Sequence, residues 1–100
     1  MQSIPSLPSK FITNNNIYKE VDFKDLKVGS YYFMHTIVIE FHCMYDYLLQ
    51  VISKSDEGVL VKKINSRYHD NCRYPGDWEE EESLETITGK EDSIIVFYTQ

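Results

Sequence analysis

Apolar residues alternate with other residues at a period of two along much of this chain. Between Tyr31 and Tyr45 most odd positions are aromatic or aliphatic, and the even positions include a threonine, a glutamate and a histidine. Such alternation is typical of a β-strand with one buried face. The run Ile37-Val38-Ile39 adds β-branched side chains, whose stiff χ1 angles also favour a strand. The pattern therefore predicts one long strand, bent or broken partway.

A helix over residues 37–49 is the alternative for the second half of this segment. Ile37, Phe41 and Leu48 would lie on one face of such a helix, with Glu40 near the other. The β-branched residues favour the strand, because their side chains lose rotamer freedom in a helix.

The clearest local pattern is a predicted β-hairpin over residues 48–66. Two β-rich runs, residues 48–53 and 59–64, flank the glycine-containing segment 54–58. A loop of about five residues that contains glycine is a common connection between antiparallel strands. Because its contacts are close in sequence, this hairpin is expected to form early and to organise the fold.

The segments on either side of the hairpin predict further turns and strands. Residues 25–30 are expected to form a turn in which Gly29 takes a positive φ. Residues 67–82 are expected to form a long loop. Residues 84–88 and 93–98 are expected to pair with each other as two short strands.

Residues 1–16 lack apolar periodicity and predict a flexible N-terminal arm, so that residues 17–100 would form a single small domain. The arm holds two of the three prolines of the chain. Residues 5–10 have the proline spacing of a polyproline recognition segment, followed by a lysine. Such a segment either serves as a ligand for another protein or simply keeps the arm extended.

Four or five short antiparallel strands in a domain of this size favour a mainly β fold, either a small antiparallel barrel or a curled sheet. Three short spacings occur in order over residues 25–64: Leu26-x-x-Gly29-x-Tyr31, Tyr47-x-x-x-Val51 and Gly58-x-x-Val61. This order resembles the opening of Tudor-like small β-barrel domains, although the long first strand departs from it. The resemblance implies a domain that binds peptides, often methylated ones.

Composition and charge narrow the class of protein. With 100 residues, of which 42% are hydrophobic, the chain can bury a core without disulfides or metals. The formal net charge of −6 argues against a nucleic-acid-binding protein, which needs a basic surface to displace counterions. Two cysteines and no leader-like or membrane-spanning apolar run predict reduced thiols, an intracellular location and no membrane partner. The absence of alanine is typical of AT-rich genomes, those of many large DNA viruses among them.

Aromatic residues form the favoured candidate site. Two tyrosines lie at the end of the predicted long strand, three more rings lie in the predicted long loop, and an aspartate stands beside each group. The predicted peptide-binding residues are Tyr45, Asp46, Tyr47, Tyr68, Tyr74, Asp77 and Trp78. Rings offer their π-faces to a methylated ammonium group, and a carboxylate supplies the opposite charge. The alternative is a hydrophobic cluster in which Tyr74 and Trp78 pin the loop to the sheet.

Histidine and cysteine residues raise the alternative of a zinc-stabilised domain. The candidate ligands are His42, Cys43, His69 and Cys72, of which the last two have ligand-like spacing. A zinc site is not favoured, because His42 and Cys43 would point to opposite faces of a strand. No cofactor is predicted.

The sequence carries no nucleophile elbow, phosphate-binding glycine loop or paired-histidine helix motif. It therefore predicts a non-enzymatic protein-binding module, whose ligand is a basic or methylated peptide segment. The acidic run at residues 79–82 also fits a basic ligand. The alternative is a structural subunit of a larger assembly, such as a minor virion component, whose arm and strand edges pack against neighbours. The sequence leaves the oligomeric state and the partner open.

Overall fold

The computed structural model describes residues 4–9, 18–41, 43–70 and 74–100, and the strands among them join in one antiparallel sheet. The strands are β1 (Lys19–Val21), β2 (Tyr31–Val38), β3 (Cys43–Ser55), β4 (Gly58–Asp70), β5 (Tyr74–Pro75), β6 (Glu79–Ile87) and β7 (Ile94–Thr99). Two 3-10 turns, at Phe23–Asp25 and Ile39–Phe41, are the helical elements of these residues. Neither is long or apolar enough to cross a membrane.

The sheet curls but does not close into a barrel. Its strands follow the order β1-β7-β2-β3-β4-β5, and β6 also pairs with β4. The mainly β prediction is confirmed, and of the two predicted architectures the curled sheet fits. Seven strands, one of them only two residues long, are present among the described residues where four or five were expected.

The long predicted strand is in fact two strands that fold back on each other. β2 and β3 pair from Tyr31 opposite Gln50 to Val38 opposite Cys43, and the 3-10 turn at Ile39–Phe41 begins the reversal. The helix alternative for residues 37–49 is therefore wrong. Cross-strand pairing favours the strand over the helix here, because β-branched and aromatic side chains gain cross-strand partners in a sheet.

The central hairpin is confirmed, with longer strands and a tighter turn than expected. β3 and β4 each have 13 residues. Ser55 pairs directly with Gly58, so the turn consists of Asp56 and Glu57 alone. Two register shifts along this pair bend it, and irregularities of this kind raise the local twist that lets a sheet curl.

The prediction of a long loop at residues 67–82 is wrong. β4 continues to Asp70, and β6 already begins at Glu79. β6 carries four consecutive glutamates at its start, and a strand at the edge of a sheet can keep such charged residues in solvent. Charge at this position therefore marked an exposed strand, and not a loop.

The predicted pairing of residues 84–88 with residues 93–98 is also wrong. β6 pairs with β4, whereas β7 pairs with β2 and β1. Between β6 and β7, the Glu91 carboxylate accepts hydrogen bonds from the backbone amides of Thr88 and Gly89, at 2.8 and 2.9 Å. After this capped turn the chain joins β2 instead of returning along β6.

The two faces of the sheet have different packing. The core face buries the main hydrophobic core, which consists of Leu26, Tyr32, Met34, Leu49, Val51, Val59, Val61, Ile87 and Phe97. The opposite face buries Phe33 and Leu48, with Tyr18 and Trp78 packed against them. We call it the arm face, because residue Pro8 of the N-terminal arm contacts it. Since successive residues of a strand point to opposite faces, consecutive residues of β2, β3 and β4 are divided between the two.

Candidate functional site

Four polar side chains are buried together on the arm face. His35 of β2 is the direct cross-strand partner of Asp46 of β3, and Asp46 is the direct partner of Arg67 of β4. Directly paired residues share a face of the sheet, and His69 shares it too, because it lies two residues after Arg67. All four residues are at most 4% exposed. The strand register alone therefore assembles a buried charged row across three strands.

The Asp46 carboxylate is the centre of this row. Its Oδ1 lies 2.6 Å from Nδ1 of His35, and its Oδ2 lies 2.8 Å both from Nε of Arg67 and from Nε2 of His69. An ionised carboxylate can only accept hydrogen bonds, so all three nitrogens donate to it. A buried charge is costly unless it is paired and hydrogen-bonded. Asp46 therefore provides the compensation that lets the guanidinium of Arg67 lie inside the protein.

The pKa of Asp46 results from opposing influences. Burial on its own would raise the pKa, whereas the hydrogen bonds from His35 and Arg67 and the charge of His35 lower it. The hydrogen bond from His69 acts in the same direction, and the net result is a pKa below the ordinary value of an aspartate. Asp46 is accordingly ionised at neutral pH.

The lowered pKa predicts a loss of stability in acid. A group whose pKa is lower in the folded state stabilises the protein above its unfolded pKa, about 3.9 for an aspartate, and this stabilisation disappears as the pH falls through the folded pKa. We expect the free energy of unfolding, from urea titrations, to decrease steadily below about pH 4. The pKa of Glu91 is also lowered, since its hydrogen bonds with Thr88 and Gly89 outweigh its partial burial.

The variant Glu91→Gln separates the two carboxylates. It should keep most of the acid-induced loss, because Asp46 remains in place. An acid profile that becomes flat in Glu91→Gln would show that the Asp46 row does not control stability in this pH range.

Arg67 continues outward from the buried row to a second contact. Its Nη1 donates a hydrogen bond of 2.9 Å to the main-chain carbonyl of Pro8, and its guanidinium lies 4.5 Å from the centre of the Trp78 ring. Trp78 Nε1 donates to the same carbonyl at 2.7 Å. We call this arrangement of Arg67 and Trp78 around the Pro8 carbonyl the Pro8 dock. Both donors have a second, inner contact. Arg67 is hydrogen-bonded to Asp46, and the ring of Trp78 packs against Phe33 with ring centres 6.3 Å apart.

The Pro8 dock can bind a peptide main chain. Both groups donate to a main-chain carbonyl oxygen, which every residue of a peptide possesses. The contact therefore fixes the position of the backbone without selecting a side chain. One donor is charged, which makes its hydrogen bond stronger than a neutral one.

Three of the predicted site residues come together, but on the core face. The rings of Tyr45 and Tyr47 are stacked with centres 6.1 Å apart, and Tyr68 lies 5.2 Å from Tyr45. The ammonium of Lys63 lies 4.2 Å from the centre of the Tyr47 ring and 3.2 Å from the Glu85 carboxylate. Burial and the nearby carboxylates, Glu85 among them, raise the pKa of Tyr47 to about 12. The cation at this ring is thus one of the protein's own lysines.

The other predicted residues do not join this tyrosine cluster. Asp46 lies between Tyr45 and Tyr47 in β3 and therefore points to the arm face, where it is fully buried. Trp78 also packs on the arm face, against the cluster of Phe33 and Leu48. Asp77 is exposed. Tyr74 lies in β5, and its side chain falls outside the description. The structure therefore divides the expected rim between two faces.

The two metal candidates within the described residues, Cys43 and His69, are not brought together either. Cys43 is a buried thiol whose cross-strand partner is Asp70, the neighbour of His69, so Cys43 and His69 point to opposite faces. His42 and Cys72 lie outside the described residues. Within the described ranges, no three His, Cys, Asp or Glu side chains are grouped so that they could hold a metal ion.

Sequence reasoning missed the Asp46 row as a unit. The available signal was the period-2 spacing, since His35 occupies an otherwise apolar set of positions and Arg67 and His69 are two residues apart. The resemblance to Tudor-like barrels stays a prediction. Comparison of this chain with protein-family models, with curated proteins and with solved structures finds no match.

Proposed function

We propose that this chain is a non-enzymatic protein-binding module that holds an extended peptide segment on its arm face. The observation that supports the proposal is the Pro8 dock, in which two side-chain donors converge on one main-chain carbonyl. In the structure that carbonyl belongs to the arm of the protein itself. Because the contact is made to the backbone, a segment of another protein can take the same place.

The dock is organised before any ligand arrives. The buried Asp46 carboxylate holds the Nε of Arg67, and the guanidinium group of Arg67 lies over the ring of Trp78. Ordering flexible side chains on binding weakens affinity, so donors that are already fixed favour tight binding. The main entropic cost of binding is therefore the ordering of the peptide itself.

The arm indicates which kind of segment fits. Residues 4–9 contain two prolines, whose fixed φ keeps the backbone extended and lowers the entropy that is lost on binding. The net charge of −6 favours a partner segment that is basic. An external ligand of this class competes with the arm, which acts as an internal occupant of the dock.

Binding of a fluorescent peptide with the sequence of residues 1–10 tests the proposal. Because the arm competes, the measurement uses the full chain with a loosened arm, Pro5→Gly, Leu7→Gly and Pro8→Gly, whose backbone loses more entropy when it docks. Fluorescence polarisation should show saturable binding. Adding Trp78→Phe to this background should weaken binding roughly 3- to 10-fold, since one net hydrogen bond is lost while the ring is kept.

Tyr68→Phe is the matched control for this experiment. Tyr68 lies in the tyrosine cluster of the core face and is half exposed, so its substitution should leave peptide binding unchanged. The proposal fails if the peptide does not bind to the loosened-arm chain. A loss of binding in Tyr68→Phe with no loss in Trp78→Phe would instead assign the ligand to the tyrosine cluster.

A further inference from the structure

A cavity of about 330 Å³ lies on the arm face beside residues 4–9. Its walls include the aromatic ring of Tyr31 and the side chain of Ile64, and the carboxylate-bearing residues Glu80 and Glu82 line it from β6. Glu80 is the direct partner of Asn65, which is the direct partner of the buried Leu48, so Glu80 points to the arm face. The cavity thus combines apolar walls with negative charge.

The arm reaches this cavity but does not fill it. Ile4 is one of the lining residues, yet the residue is 59% exposed. Ile4 precedes Pro8 by four residues, so a peptide that is held at the Pro8 dock along the same path places one side chain here. The cavity is therefore suited to select one residue of the ligand, which the backbone contacts of the dock cannot do.

We propose that this cavity is a specificity pocket for a basic residue, lysine or arginine, four positions before the residue whose carbonyl binds Arg67 and Trp78. This inference rests on the proposed function and names the ligand class more closely. A lysine or arginine has an apolar stem that can lie along Tyr31 and Ile64 while its charged end lies near Glu80 and Glu82.

The charge balance of the cavity favours a cation even though one lysine is present. Lys62 lines the cavity and offsets one of the two carboxylates that β6 directs to this face. Glu81 also lines the cavity but is not counted, because it lies between Glu80 and Glu82 in β6 and strand alternation directs it to the core face. One uncompensated negative charge therefore remains for the ligand. A single exposed ion pair contributes modestly, so we expect selectivity within one order of magnitude.

Peptides that differ at one position test the pocket. Three versions of the 1–10 peptide carry lysine, norleucine or glutamate in place of Ile4, and norleucine keeps the stem of lysine without its charge. Each peptide competes with the labelled 1–10 peptide on the full wild-type chain, where competition by the arm cancels in the ratio of affinities. We expect the lysine peptide to bind about 3- to 5-fold more tightly than the norleucine peptide and the glutamate peptide to bind more weakly. The preference should decrease at 0.5 M salt.

Substitutions in the pocket complete the test. In the variant Glu80→Gln with Glu82→Gln, the preference for lysine over norleucine should fall below 2-fold, while Glu57→Gln, an exposed change in the β3–β4 turn, should preserve it. The inference is overturned if the lysine and norleucine peptides bind equally well to the wild-type chain, or if their ratio survives in the double variant. Equal binding of all three peptides would still leave the proposed function in place, whereas the absence of any binding, also to the loosened-arm chain, would refute both.

Discussion

We expect the Asp46→Asn variant to lose about 3–5 kcal/mol of unfolding free energy, the cost of removing one partner from a buried ion pair. Asparagine has nearly the same shape as aspartate, so no cavity is created. The change removes the negative charge that compensates the guanidinium of Arg67, which is 3% exposed. It also replaces one of the two acceptor oxygens with an NH2 group, which cannot accept the hydrogen bond from His35 or, in the other orientation, those from Arg67 and His69.

Such a loss would be a large part of the total stability. Domains of this size are stable by about 5–15 kcal/mol, so Asp46→Asn should remove about a fifth of the total stability or more. Urea titration followed by circular dichroism at pH 7 measures the difference. The matched control is Asp77→Asn, an exposed aspartate, which should change stability by less than about 0.5 kcal/mol. A cost below 1 kcal/mol for Asp46→Asn would show that the buried row is not held by its charge.

The same substitution also bears on the proposed binding site. Arg67 donates with Nε to Asp46 and with Nη1 to the Pro8 carbonyl, so a single side chain links the buried row to the dock. Weakening the inner contact frees the guanidinium to change its position relative to Trp78. The buried Asp46 thus controls the position of the donor Nη1 of Arg67. Arg67 in this way contributes both to stability and to the proposed recognition of a peptide.

Local features of the fold were predictable from the sequence. The hairpin of β3 and β4 was recognised because its two strands and its turn lie close together in the chain. Gly29 was expected to have a positive φ, and its φ is 89°. The reversal between β2 and β3 was predicted only as a break, because period-2 alternation continues through Ile39–Phe41 and does not indicate the direction of the chain.

Pairings between distant strands could not be predicted in this way. β7 lies between β2 and β1, and β6 lies beside β4, although residues near the end of β6 and the start of β7 are close in sequence. The candidate site was missed for the same reason. Neither Asp46 nor Arg67 is unusual in the sequence by itself. Their contact depends on the register in which β2, β3 and β4 pair. A shift by one residue would have placed Asp46 on the core face and Tyr47 on the arm face.

The second large effect is expected for Gly58→Ala, at the start of β4. Gly58 has a φ of 144°, a region that residues with a side chain rarely adopt. A Cβ at this position would lie 2.3 Å from the carbonyl oxygen of Ile87. Because that oxygen belongs to the backbone of β6, next to the pairing of Val59 with Ile87, it cannot move aside without disturbing the sheet. Backbone strain and overpacking together should cost about 3–4 kcal/mol of unfolding free energy.

Gly29→Ala separates the two causes. Gly29 also has a positive φ, but no heavy atom lies within 4 Å of a Cβ built on it. Its substitution should therefore cost only the backbone term, about 1–2 kcal/mol. Urea titrations of both variants give the difference, which measures how closely β6 packs against the turn of the hairpin. Equal costs for the two variants would mean that β6 yields to the new methyl group, and that the β4–β6 pairing is less rigid at this end than the distances imply.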